Sequence, residues 1–347
     1  MEKPADIRTP TLDDVARVAG VSRATVSRAI RDTRGVAPEL KEIVGRAIAE
    51  TGYVPNRAAR SLATGRTGTV IIAVAGADAE YGGVAEPDVF ADPFFSRVIS
   101  GVVRTLRTLD TQPVLLLVES DADRADVLAT VRQGAADGAL LVSTHSDDPL
   151  PSAFAAAGLP AVTFARPASG APVSFVDIAN HDGGRLAAEH LVARGAQRVA
   201  LIAGPDDVPS AQDRARGFRD AMARHGQAFP PTAHGDFTVE SGERAMAEIL
   251  ESAPDIDGVF AANDLMALGA MHGLQAQGRR VPDDVAIVGF DDSVIATIAR
   301  PTLTSVRQPI EEMAAQMARI LVAQIHEPGT RPSSVIFDPV LIARGSA

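Results

Sequence analysis

Between residues 69 and 292, short apolar runs alternate with stretches of helical periodicity, and few folds accommodate that order. The runs read TVIIAVA, PVLLLVE, GALLVST, LPAVTFA, RVALIAG, GVFAAND and VAIVGFDD. Helical stretches such as FFSRVISGVVRTLRTL, and those over 180–194 and 211–225, lie between them. Continuous apolar strands separated by helices belong to parallel sheets covered on both faces. The stretch is long for one such sheet and divides into two similar halves. Two α/β lobes with a ligand cleft between them are therefore expected.

The segment that precedes this pattern is of another kind. Residues 1–67 hold twelve Lys/Arg and eight Asp/Glu, a net charge of +4, while the remainder carries −15. A small basic head on an acidic body is the charge pattern of a chain whose head alone meets a polyanion. In TLDDVARVA, Thr11 and Asp14 stand at capping-box spacing, so a helix opens there with Val15, Ala16 and Ala19 on one face. Gly20-Val21 breaks it and Ser22 caps a second helix, RATVSRAIRD, giving the spacing of a helix-turn-helix. Pro38 starts a third helix with Ile43, Ala47 and Ile48 inward and Gly52 at its end. On the second helix Val26 and Ile30 face the small core, and Arg23, Ala24, Ser27 and Arg28 face outward. Short polar groups and arginines suit a helix in the major groove, although a solvated face of a small bundle has the same pattern.

Residues 56–66, NRAARSLATGR, follow as a basic segment with one leucine. As a helix it falls below the roughly 12–15 residues that an isolated helix needs in water.

The stretch TLDDVARVAGVSRATVSRAI, followed by GYVPNRAARSLA, closely resembles the head of the lactose/galactose repressor family of bacterial transcription regulators, without gaps through about 55 residues. DPFFSRVISGV, GPDDVPSAQDRARGF, GDFTVESGERAM, ANDLMALGAM, DVAIVGFDDS and PTLTSVRQP extend the resemblance over nearly the whole chain. It implies a helix-turn-helix head over 1–55, a hinge helix and linker over 56–67, and a periplasmic-binding-protein-like core over 68–347. Lobe 1 is then expected at about 68–168 and 308–336, and lobe 2 at about 174–305 and 337–347, with crossings near 166–177, 304–310 and 335–338. By the same resemblance Ser22, Arg23, Ala24, Thr25, Ser27 and Arg28 belong to the DNA-reading helix, with Arg31 and Tyr53 as supporting backbone contacts. Asn56, Ala59 and Leu62 fall on the hinge helix, which orders against its symmetry mate on DNA and inserts Leu62 into the minor groove. The partners implied are a pseudo-palindromic duplex, a second copy of the chain and a small-molecule effector; no heptad helix follows LIARGSA, so a dimer is expected.

Within the core, Asp291 ends the run VAIVGF, at the carboxyl end of a strand where open α/β sheets bind ligands. Its carboxylate accepts sugar hydroxyls, while Arg214 and Asn263 supply donors. Phe94, Phe95 and Phe237 either stack on a ring or pack locally, and Asp292 reads as a cap or structural acceptor. Ala165 and Ala179 stand where relatives often carry Asp, so one frequent polar contact is missing from TFARP. The connection over 76–91 is long, and its Tyr81 or Phe90 is a candidate gate if the loop is not a plain surface excursion. A sugar is favoured over a nucleobase as effector, and a protein corepressor remains the other alternative; the sign of the response is open.

Enzymes are the rival class. The chain has no G-x-G-x-x-G after a strand, no phosphate-binding G-x-x-x-x-G-K-[ST] and no G-x-S-x-G. It has no cysteine, its seven histidines show no metal spacing, and His190 and His272 read as satisfied structural residues. No cofactor or metal is expected. No apolar run approaches the roughly 20 residues of a membrane span, and MEKPADIRTP lacks the apolar centre of a signal peptide, so a cytoplasmic protein is expected.

Overall fold

The computed structural model describes residues 10–30, 36–54, 65–75, 92–143 and 147–347. Arg31, Asn56, Ala59 and Leu62, and the 76–91 connection with Tyr81 and Phe90, lie outside the described residues. The chain separates into two compact units, Met1–Thr67 and Gly68–Ala347.

In the first unit, α1 (Leu12–Ala19), α2 (Arg23–Ile30) and α3 (Pro38–Thr51) surround a core of Val15, Ala16, Val26, Val44, Ala47 and Tyr53. The Thr11 amide donates to Asp14 Oδ2 at 2.9 Å, satisfying a group that the helix start would otherwise leave open. Gly20 and Gly52 stop α1 and α3 in the left-handed region, at φ 65° and 66°, where a side chain would be strained. One inward assignment fails. Ile43 is 37% exposed and Val44, one position on, fills the core, because α3 is rotated relative to the expected face.

The second unit holds two six-stranded sheets. Lobe 1 contains β1 (Thr69–Ala75), β2 (Gln112–Val118), β3 (Ala139–Ser143), β4 (Ala161–Phe164), β5 (Ser174–Ile178) and β11 (Ser334–Phe337), in the order β11-β5-β4-β3-β1-β2. Lobe 2 contains β6 (Val199–Ala203), β7 (Thr232–His234), β8 (Gly258–Ala261), β9 (Ala286–Asp291), β10 (Thr304–Arg307) and β12 (Val340–Ile342), in the order β12-β10-β9-β8-β6-β7. The two orders are the same, as expected of two similar halves. Every pairing is parallel except β10–β12, because only Asp338 and Pro339 separate β11 from β12 and the chain returns into the other lobe reversed.

Burial explains the unbroken apolar runs. On β1, Val70, Ile72 and Val74 join one core with Val98 and Val102 of α4 (Pro93–Thr108) and Met313 and Met317 of α12 (Ile310–His326). Ile71, Ala73 and Ala75 enter the opposite core with Val127 and Val131 of α5 (Asp121–Arg132) and Phe154 of α6 (Leu150–Ala157). Each such valine, isoleucine, methionine or phenylalanine contributes about 1.5–3 kcal/mol when fully buried. In lobe 2, α7 (Asn180–Ala193) and α8 (Pro209–Arg224) cover one face, and α9 (Val239–Ser252) and α10 (Asp264–Ala276) the other. The short α11 (Val294–Ile298) follows β9. Strand β2 departs from the pattern: it is a sheet edge, and Val114, Leu115 and Leu117 are 41–43% exposed.

One lobe boundary needs correction. Strand β5 pairs with β4 and β11, so residues 174–178 belong to lobe 1, not lobe 2. The chain first crosses between Ile178 and Asn180. The later crossings lie between Arg307 and Ile310 and between Phe337 and Val340. Among the described residues no helix is long and apolar enough to cross a membrane.

Candidate effector cleft and nucleic-acid interface

Asp291 ends β9 at the crevice between the lobes, and its side chain lies 3.7 Å from that of Arg214 on α8. Arg214 is the hub of this region. Its Nε donates to Asn180 Oδ1 at 2.9 Å, Nη1 to the Ala262 carbonyl at 2.7 Å, and Nη2 to Gln308 Oε1 at 3.2 Å. The guanidinium also lies 3.7 Å above the centre of the Phe290 ring. Three of its five N–H groups are thereby used. The sequence permits this closeness through glycine: a Cβ on Gly184 would overlap the Arg214 carbonyl, and one on Gly217 the His181 carbonyl. Only without those carbons do α7 and α8 approach enough to bring Asn180 to Arg214.

Carboxylates surround this cation. Asp92, at the N-cap of α4 in lobe 1, is pushed up to about 6 by burial and then by Asp291, with the Phe94 amide and Arg214 offsetting part. Asp264 is raised to about 7 by burial and Asp291, although it accepts from Ser305 Oγ at 2.6 Å and the Ser293 amide at 2.7 Å. Burial also raises Asp177 and Asp291, and lowers Arg214. Asp92 and Asp291 come from opposite lobes, so closure itself presses the two acids together.

Two arginines tie the lobes across the cleft. Arg97 of lobe 1 is bidentate to Glu311, at 2.7 and 2.9 Å, and donates to the Asp291 carbonyl at 3.1 Å. Arg166 reaches Asp213 of lobe 2 at 2.8 Å, while its amide donates to Asp177 at 3.1 Å. Between them is a cavity of about 850 Å³, counting the solvent at its open mouth. Asn180, Arg214 and Gln308 form one end; Phe94, Thr163 and Phe164 form a wall. Ala165 also lines it, with φ 69°, so the position where relatives often carry Asp presents a methyl group here. Ala165, Phe237, Asp291 and Asp292 all have positive φ at or shortly after strand ends.

Of the residues proposed from the sequence, Phe94 and Arg214 line this cavity. Phe95 does not. It is 7% exposed in the lobe 1 core, stacked edge-on to Phe94 with centroids 5.1 Å apart, because adjacent helical residues point to different sides. Asn263 is corrected as well: it caps α10, its Oδ1 accepting from Met266 and its Nδ2 donating to the Phe237 carbonyl at 3.0 Å. Phe237 packs against the lobe 2 core rather than lining the cavity. Asp291 is 9% exposed and outside the lining, with Arg97 of lobe 1 donating to its carbonyl. Asp292 is held by Arg307 at 2.7 Å and Arg344 at 2.5 Å, the structural acceptor expected. His190 is a further correction, since its buried Nε2 has no hydrogen-bond partner among the described residues. The lining residues Asp177, Asn180, Arg166, Asp213 and Gln308 were missed. Asp177 and Asn180 flank the carboxyl end of β5, so the argument applied to Asp291 would have found them.

In the head, the Thr25 amide donates to Ser22 Oγ at 3.1 Å, and the two hydroxyls are 2.9 Å apart. Ser22, Arg23, Ala24 and Arg28 are exposed, and Thr25 and Ser27 half-buried, along one side of α2. Arg23 lies 3.7 Å from Asp13, a weak exposed pair that a phosphate or base displaces at little cost. Tyr53 is 9% exposed and forms part of the head core, a packing role not foreseen.

Comparisons with known proteins agree with both parts. Residues 11–56 match bacterial regulatory proteins of the lacI family, and residues 188–347 match the periplasmic binding protein-like domain. The HTH-type transcriptional regulator CelR of Thermobifida fusca is 44% identical over 344 residues, 98% of each chain. The structure of a transcriptional regulator CelR–cellobiose complex superposes with a TM-score of 0.74 at 42% identity, over 97% of this chain and 100% of that one. The lac repressor dimer bound to operator and the anti-inducer ONPF superposes at 0.80 and 27% identity, over 98% and 99%. A DNA-reading helical head joined to a two-lobed core, with relatives along its whole length, makes this chain a member of the lacI family of bacterial regulatory proteins.

Proposed function

We propose that this chain is a cytoplasmic repressor whose affinity for a pseudo-palindromic operator is set by a neutral sugar held between the lobes. The observation that carries this reading is the charge balance of the cleft. Both arginines that line the cavity are already matched by acids, Arg214 with Asp291 and Arg166 with Asp213. Among the described residues an anionic ligand would meet no spare cation there, whereas a polyol finds the remaining Arg214 N–H groups, Gln308 and Asp177, with Phe94 for a ring face. The related CelR structure holds cellobiose, which makes that disaccharide the first effector to try.

On this reading the outward side of α2 reads the major groove, Arg23 and Ala24 setting base preference, while Leu62 of the hinge helix wedges the minor groove. The exposed apolar residues of β2 and α11, among them Leu115, Leu117, Val294 and Ile298, support a homodimer, since such surface is normally covered in a partner. Duplexes selected from a randomised pool by the pure protein, then titrated by fluorescence anisotropy against cellobiose, glucose, ribose and adenine, test the proposal. At least one sugar should change operator affinity. Response to a nucleobase or a copurified protein alone, or turnover of a sugar, overturns it.

A further inference from the structure

One carboxylate on the cavity wall has no role in the machinery described above. Asp148 precedes α6 and is 8% exposed, yet it lines the same cavity as Phe94, Thr163 and Arg214. Its Oδ1 is occupied, accepting from the Leu150 amide at 3.0 Å with Arg124 Nε 3.9 Å away. Its Oδ2 is buried and has no hydrogen-bond partner among the described residues. An unsatisfied buried carboxylate oxygen is costly, and native proteins seldom retain one that nothing ever satisfies.

The neighbours of Asp148 show what would satisfy it. Ser143 at the end of β3, Pro151 on α6, and Pro167 and Ser169 after β4, all of lobe 1, line the cavity with it. Asn180, Arg214 and Gln308 line the same cavity from other elements, and so does the Ala165 methyl, where a larger polar side chain would take up room. A wall of prolines and hydroxyls around one free carboxylate oxygen fits a second pyranose ring, apolar on its faces and rimmed by O–H donors.

We propose that Asp148 forms a second sugar subsite on the lobe 1 wall and selects effectors of two or more rings over single sugars, its Oδ2 accepting a hydroxyl of the outer ring. This rests on the sugar-effector reading above. Because that oxygen is enclosed until a ring enters, the outer ring must open the wall slightly and then replace the contact.

Two substitutions isolate the free oxygen. Asp148→Ser keeps an acceptor for the Leu150 amide, as a cap residue does, and removes Oδ2. Asp148→Asn keeps the shape and turns that acceptor into a donor. Arg124→Gln breaks the ion pair and leaves Oδ2 in place. Isothermal titration of the full-length protein with cellobiose and glucose, beside melting curves and sugar-free operator binding, distinguishes the roles. A hydrogen bond to a charged acceptor is commonly worth about ten- to a hundredfold in affinity. Asp148→Ser should lose at least tenfold for cellobiose, and Asp148→Asn less, since its amide N–H can donate to the same hydroxyl oxygen. Glucose affinity and sugar-free operator binding should stay unchanged, while Arg124→Gln binds cellobiose like the parent. Equal losses for both sugars, no loss in Asp148→Ser, or the same loss in Arg124→Gln overturns the subsite. If the parent binds no neutral sugar, the sugar-effector reading falls and the subsite with it, a result separable from parent binding that the Asp148 variants leave intact.

Discussion

Arg214 concentrates the chemistry of the cleft. Burial disfavours its charge, and Asp291, Asp177, Asp264 and Asp92 restore it. Removing one partner of such a buried set leaves the others uncompensated, typically at about 3–5 kcal/mol. Arg214→Met should therefore destabilise the core by that amount in urea denaturation, and Arg214→Lys should recover only part, since an ammonium cannot reach Asn180, Ala262 and Gln308 in three fixed directions. Asp92 acts in the opposite sense. Its carboxyl titrates at about 6 in the folded state against 3.8 ordinarily, so the unfolded chain releases this proton first as pH rises. The resulting destabilisation is absent below about pH 4, grows up to about pH 6, and reaches about 3 kcal/mol above that. Asp92→Asn should raise the melting temperature at pH 8 and leave it unchanged near pH 4. That Arg214 lines the cavity, with Asp291 beside it at 3.7 Å, agrees with the sequence reading. That Asn263 spends both ends of its amide on Phe237 and Met266 was not legible there, because hydrogen-bond saturation depends on residues far apart in the chain.

At the scale of elements, helix packing determines which side chains meet. Glycines 184 and 217 let α7 and α8 lie backbone to backbone, and glycines 242 and 269 do the same for α9 and α10. The Asn180–Arg214 bond exists because of the first pair, and the Asn263–Phe237 bond lies beside the second. Gly184→Ala inserts a methyl against the Arg214 carbonyl, which no rotamer change relieves. It should cost about 1–3 kcal/mol in urea denaturation and weaken effector binding even though residue 184 touches no ligand. Periodicity located seven of the twelve strands described in the core, because a run apolar on both faces has few other uses. It passed over β5, β7, β10, β11 and β12, which are short or less uniformly apolar. It misplaced Phe95 and Ile43, for which one residue of helical rotation separates wall from core. Strand β2 looked like the central strands, and only its position at the sheet edge reveals that its apolar residues lack a cover among the described residues.

For the whole molecule, the ties of Arg97 and Arg166 make lobe closure a two-sided contact that a ligand can favour or oppose. If effector and operator act on the same equilibrium, each must change the affinity for the other by the same factor. Measuring operator affinity with saturating sugar, and sugar affinity with saturating operator, should give matching ratios. Leu62→Ser in the hinge should weaken operator binding by at least tenfold, at a few kcal/mol of lost unstacking contact, while sugar affinity in the DNA-free protein stays unchanged.

Local order along the chain determined the repeated strand–helix pattern, the three helices of the head with their caps, and the family to which they belong. These depend on residues a few positions apart, where periodicity, capping and turn chemistry act directly. Tertiary structure decided which lobe β5 joins, which acids crowd Arg214, and which side chains form the cavity wall. Those outcomes arise where strands and helices distant in sequence are pressed together, and there burial and charge, not local propensity, set the balance. Asp148 is the clearest case: an ordinary aspartate before a helix in the sequence, and in the folded cleft a buried oxygen without a partner among the described residues.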